Sequence, residues 1–253
     1  MQDQGAELKF FQAARIFTLA NLGKYAPGRV WSIVGAGALA RDYQISSWAA
    51  ATVTLVLQIL TLATGMLVAG VFARKELETL WPVAPLLTLA LGALVLGLAF
   101  GLSIPKLRKG LEGVAHAFAS RIPQIRSSTF FFVNFLSILA WMGFGASLLL
   151  MERAMFGSFS ISWQSAVGTF AASYVLGFVA LLAPAGLGPR EAALVVLLSS
   201  STNALHAAAL ALVSRVLITI CDLLFAVPFL RGKLGGPDRS QSSQLPTAPT
   251  STT

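Results

Sequence analysis

The stretch that decides the fold is Ala183-Pro184-Ala185-Gly186-Leu187-Gly188-Pro189-Arg190-Glu191. Two prolines and two glycines, closed by an adjacent Arg-Glu pair, interrupt a sequence that is apolar on both sides. A regular helix does not run through such a run, because proline lacks a backbone donor and glycine loses the most freedom on ordering. Irregular backbone at membrane depth persists only where protein or a wet cavity satisfies its amides, so this stretch is expected to line something. A second break of the same kind stands near the other end, Lys24-Tyr25-Ala26-Pro27-Gly28-Arg29-Val30-Trp31. The two are read as one site.

The surrounding composition explains why membrane depth is the right frame. Of 253 residues, 56% are hydrophobic and 11% charged, roughly half the charged fraction of a soluble domain. Several apolar runs exceed the approximately 20 residues that cross a bilayer as helix. Alternation of polar and apolar residues, the mark of an outer-membrane barrel, is missing. The expected class is all-α: a polytopic transmembrane bundle with two Pro/Gly-broken, re-entrant segments.

The net charge of +8 does not point to nucleic acid, because the basic residues gather at segment ends. Lys106, Arg108, Lys109, Arg121 and Arg126 face only Glu112 in one loop, which the positive-inside rule places in the cytoplasm. The first part of that loop has helical apolar spacing and can lie on the headgroups. The start has no basic stretch followed by an apolar run and cleavage site, so no removable signal peptide is expected.

From that anchor the chain reads as a polar-tinged helix over 10–26, a short apolar piece over 30–40, and five spans. The spans are 48–73, 80–104, 129–151, 164–183 and 204–230, with a turn at 74–78 and a short piece at 192–198. Residues 1–233 are expected to form one transmembrane domain and 234–253, rich in Ser, Thr and Pro, a disordered tail. Trp31, Trp48, Trp81 and Trp163 fall near segment ends, as interface anchors do.

Pro27 precedes Ser46 by the same distance that Pro184 precedes Asn203, each the residue just before a long span. The same offset sets Gln58 opposite Arg215. The first span runs outwards and the last inwards, so the two units are antiparallel, the pattern of an inverted-repeat transporter with its site between the breaks.

Helices starting after Gly28 and Pro189 would direct free N–H groups into the breaks. Arg29 and Arg190 add full charges suited to phosphate; the plainer alternative is that they snorkel to the interface while Glu191 neutralises its neighbour. Arg215 and Asp222, seven residues apart, share a helical face. Each costs at least about 2.5 kcal/mol in mid-membrane without a partner, so both should face the bundle interior, either in a structural ion pair or linked to Gln58 or Glu191, or in a coupling-ion or proton role. The site set is therefore Lys24, Tyr25, Pro27, Gly28, Arg29, Gln58, Pro184, Gly186, Gly188, Arg190, Glu191, Arg215 and Asp222. No cofactor or metal is expected: His116 and His206 stand alone, and Gly35-Ala36-Gly37-Ala38-Leu39-Ala40 matches a dinucleotide fingerprint without the strand it needs. No catalytic grouping stands out, so the chain is not expected to be an enzyme.

At Leu22-Gly23-Lys24-Tyr25-Ala26-Pro27-Gly28-Arg29-Val30-Trp31 and at the Pro-small-Gly-Leu-Gly run before Arg190-Glu191, the chain resembles the lysylphosphatidylglycerol synthase transmembrane family. That family includes the flippase part of the multiple peptide resistance factor and stand-alone membrane proteins. The resemblance implies a multi-pass protein of a bacterial cytoplasmic membrane associated with moving lipids or lipid-linked head groups between leaflets, and Arg231 and Lys233 after the last span place the C-terminus inside. The resemblance also implies partners among membrane lipids, an anionic phospholipid or a polyprenyl phosphate, with a homo-oligomer or a partner membrane enzyme possible. The soluble aminoacyl-transferring domain is not in the sequence, and neither are the helix or two that usually precede the first motif. The competing expectation is an accessory protein that scaffolds a lipid- or glycan-modifying enzyme through loop 106–126.

Overall fold

The computed structural model describes residues 9–26, 30–104, 126–179 and 188–231. Pro27, Gly28, Arg29, Pro184 and Gly186, the loop helix expected after Lys106, and the tail 234–253 lie outside these residues. No strand occurs among the described residues.

The chain opens with α1 (Phe10–Asn21), continued by a 3-10 turn (Leu22–Tyr25), and then α2 (Val30–Ala40). The amide of Gln12 accepts the Lys9 N–H at 3.0 Å and closes the start of α1. Ile16 and Ala20 of α1 pack against Ala36 and Ala40 of α2, so the two helices double back on each other across the first break. Phe10, Phe11 and Phe17 stay on the open side.

Four helices are long and apolar enough to cross a membrane: α3 (Ser47–Phe72), α5 (Ala84–Ser103), α6 (Ser127–Phe156) and α9 (Ala204–Arg231). At 1.5 Å per residue they span about 30–45 Å, enough for a hydrocarbon core of about 30 Å. The fifth expected span, 164–183, is described as α7 (Trp163–Val179), and its last four residues lie outside the described ones. It packs on α8 (Pro189–Leu198), the helix that follows the second break.

The expected turn at 74–78 is instead a short helix, α4 (Arg74–Leu80). Two features explain it. Arg74 pairs with Glu78 one turn on at 2.8 Å, and Glu76, buried in the first turn where a helix favours an anion, accepts a hydrogen bond from the Ser165 hydroxyl. At the neighbouring loop, Glu152 is buried and accepts the N–H groups of Ser160 and Ile161 at 2.8 and 3.3 Å.

Helix α7 is the axis of the bundle. Most of its length is buried, and it packs on α3, α6 and α8. Small residues allow this closeness: a methyl on Gly168 would sit 2.2 Å from the Ala73 backbone nitrogen. Close approach of backbones is what holds helices together where lipid competes with any apolar side chain. The outer faces carry Leu86, Leu94 and Leu98 of α5, Phe131, Phe132 and Phe135 of α6, and Leu223 and Leu224 of α9. So much exposed apolar surface suits hydrocarbon rather than water.

One pairing pattern bears on the site. In the first unit α1 packs on α2, and α2 on α3; in the second α7 packs on α8, and α8 on α9. Across the units, α1 meets α9 and α7 meets α3.

Candidate functional site

At the first break, three side chains converge on Asp222 of α9. The Tyr25 hydroxyl donates to Asp222 Oδ2 at 2.6 Å, the Lys24 ammonium lies 2.6 Å from the same oxygen, and the Asn21 amide donates to Oδ1 at 3.3 Å. Residues 21 and 25 are one helical turn apart and Lys24 is three from Asn21, so α1 and its 3-10 extension turn all three to one side. The carboxylate is thereby partnered on both oxygens, as a charge in low dielectric requires.

At the second break, Gly188 has a left-handed φ of 89° and Pro189 opens α8. A glycine tolerates that φ, and a proline in the first turn gives up a donor that has no helical partner anyway. Glu191 Oε2 accepts the Gly188 N–H at 2.8 Å, and its Oε1, buried and without a hydrogen bond, lies 3.8 Å from Arg215 Nε on α9. Glu191 thus fixes the start of α8 and answers Arg215 rather than its sequence neighbour. Consecutive helical residues are about 100° apart, so Arg190 points elsewhere.

Arg190 is 6% exposed, so it does not snorkel to an interface. Its guanidinium lies 4.9 Å from the centroid of Phe170 and 5.8 Å from that of Tyr174, both on α7. Its Nη2 has no hydrogen-bond partner. The approach of α8 to α7 depends on Gly177, where a methyl would stand 2.6 Å from Arg190 Cβ.

The two breaks meet. The Arg215 guanidinium sits 5.8 Å over the Tyr25 ring, and Lys24, Arg190 and Arg215 lie within electrostatic reach of one another. Among the described residues three cations face two carboxylates, which leaves one positive charge over. Beside this cluster is a cavity of about 260 Å³ between α1, α2, α3 and α7, with Lys24, Asn21, Gln58 and Tyr174 in its wall. Gln58 donates to Ser32 of α2 at 3.1 Å. Each long third helix is thus tied to its own unit's short helix, α3 through Gln58–Ser32 and α9 through Arg215–Glu191.

Of the residues singled out in the sequence, Lys24, Tyr25, Arg190, Glu191, Arg215 and Asp222 form one cluster, Gly188 starts the helix that carries two of them, and Gln58 stands on the adjoining cavity wall. Arg29, expected to form a paired trap with Arg190, lies outside the described residues; Lys24 is the described cation of the first break. Asn21, Ser32 and Tyr174 were not singled out. A signal existed for two of them: Asn21 is a lone amide one turn before Tyr25, and Tyr174 is the one tyrosine in an apolar helix, where its hydroxyl and ring suit a cation. Ser32 has no such signal.

Four apolar helices around a polar, charge-bearing interior define a multi-pass helical membrane protein. The family model described as the lysylphosphatidylglycerol synthase TM region matches residues 1–226, and the chain belongs to that family. No curated protein and no solved structure is similar enough to match.

Proposed function

We propose that this protein moves lipids or lipid-linked head groups between leaflets, holding an anionic head group at the cluster between the two breaks. The observation that carries the reading is Arg190. A buried guanidinium stacked on two aromatic rings, with an unpartnered donor and surplus positive charge around it, is completed by an anionic oxygen. The ligands are accordingly membrane lipids, an anionic phospholipid or a polyprenyl phosphate. Binding and release suffice for this task, so we propose a translocator and not an enzyme.

The exchange of partners between units, α1 with α9 and α7 with α3, supports an inverted repeat with two re-entrant hairpins. In that arrangement the basic loop 106–126 and the end of α9 share the cytoplasmic side of a bacterial inner membrane. The test is leaflet exchange of labelled phosphatidylglycerol and polyprenyl phosphate in vesicles holding the purified chain or Arg190→Gln at equal insertion. Exchange above empty vesicles, lost in the variant, is the expected result. No exchange of any anionic lipid would sink the reading.

A further inference from the structure

We propose that the site takes up a proton together with the anion, and that Glu191 is the group that holds it. The proposal rests on the reading of Arg190 as an anion site and adds a second ligand, the proton, to the same cluster.

The two carboxylates of the cluster differ in what they leave open. Both oxygens of Asp222 are engaged, by Lys24 and Tyr25 at 2.6 Å and by Asn21 at 3.3 Å. A proton placed on Asp222 displaces one of these partners. Glu191 accepts the Gly188 N–H on Oε2 at 2.8 Å, while its buried Oε1 accepts no hydrogen bond and stands 3.8 Å from Arg215 Nε. A proton from solvent joins Oε1 as a new O–H bond with no hydrogen bond lost, and the cap at the start of α8 stays in place. The Gly188 end of the contact, through which it enters, is exposed.

Glu191 also stands where its charge matters. It follows Arg190 in the chain, and the two groups are within electrostatic reach. A carboxylate beside the guanidinium that receives an anion repels that anion, the more so away from water. Protonation removes the repulsion. By reciprocity, the bound anion strengthens proton binding by the same factor.

The other charged and titratable groups of this neighbourhood are Arg215 and Asp222 of α9, Lys24 and Tyr25 of the first break, and Tyr174 of α7. Helix α4 meets α8 toward its other end, where Leu77 and Leu197 share one core. Three of these neighbours with Arg190 decide which cation is taken. Lys24, Arg190 and Arg215 oppose a metal ion, and among the described residues no group of three His, Cys, Asp or Glu side chains comes together. A metal ion needs several donor atoms, whereas a proton needs one oxygen.

The experiment is calorimetric titration of the detergent-solubilised full chain with short-chain phosphatidylglycerol, whose phosphodiester keeps one charge across the range used, in buffers of differing ionisation enthalpy. Wild type should take up on the order of one proton per lipid bound, and its affinity should fall by about tenfold per pH unit, at the steepest, as pH rises. Glu191→Gln keeps the cap, because glutamine at the third helical position accepts the same N–H, but cannot hold the proton. It should bind at every pH as tightly as wild type does at its acid end, with the uptake gone. Binding without uptake in wild type, or uptake unchanged in Glu191→Gln, would overturn the proposal, and the wild-type result needs no variant to fold. Binding without uptake contradicts the proton alone and leaves the anion site standing; no binding at any pH contradicts both. Binding with uptake but no leaflet exchange in vesicles contradicts only the translocator.

Discussion

The two breaks are built from similar parts and finished differently. At the first, Lys24, Tyr25 and Asn21 close on Asp222 with two contacts of 2.6 Å, and both carboxylate oxygens have partners. At the second, Glu191 and Arg215 stand 3.8 Å apart, and Arg190 keeps an unpartnered donor between two rings. The difference separates structure from receptivity. A saturated ion pair fixes α1 to α9, whereas an under-satisfied guanidinium is held ready by aromatic packing and has more to gain from a ligand than from the protein.

Substitutions can break this contrast. The largest effect on stability is expected from Asp222→Leu, which leaves Lys24 without its counter-charge. The side chains are 26% and 17% exposed, so the loss should fall at the lower end for broken buried pairs, about 3 kcal/mol, visible as a lower unfolding midpoint in detergent. Lys24→Met added to Asp222→Leu should recover at least half of it; a double variant as unstable as the single one would show that the pair is not coupled.

Next is Gly177→Ala. Its methyl would stand 2.6 Å from Arg190 Cβ, and overpacking of this kind costs about 1–3 kcal/mol. Leaflet exchange should fall with it, since Arg190 must move. Arg190→Gln should be gentler still on the fold, within about 1 kcal/mol of wild type or slightly more stable, because a buried cation without a matched carboxylate contributes little net stability. Its unfolding midpoint should therefore stay put while exchange is lost. At the bottom of the scale, Arg74→Gln removes a solvent-exposed pair with Glu78 and should leave both midpoint and exchange unchanged.

Much of this arrangement was legible in the chain. Pro184, Gly188 and Pro189 marked a break because proline and glycine act locally, and Arg215 and Asp222 announced an interior face because charge in hydrocarbon demands partners. The spans at α3, α5, α6 and α9 followed from length and apolarity alone. Who pairs with whom was not legible. Asp222 and Lys24 are nearly 200 residues apart, and nothing local selects Lys24 over Gln58 as the partner. Glu191 was read both against its sequence neighbour and, with Gln58, as a link for Arg215 or Asp222, and helical geometry turns it to Arg215. Residues 164–183 read as a span ending at the second break, but the packing of its described part, α7, on α8 was not legible, because periodicity does not say which neighbour a helix packs against. Helix α4 was missed for a similar reason: the Ser165–Glu76 bond that buries its acid comes from a helix 89 residues away.

The most direct measurement compares Asp222→Leu, Arg190→Gln and wild type in one series, reading the unfolding midpoint in detergent and leaflet exchange of labelled phosphatidylglycerol in vesicles at equal insertion. A lowered midpoint in the first, and an unchanged midpoint with exchange lost in the second, is the predicted result. Exchange at the wild-type rate in Arg190→Gln would contradict the account, because the anion would then be held elsewhere.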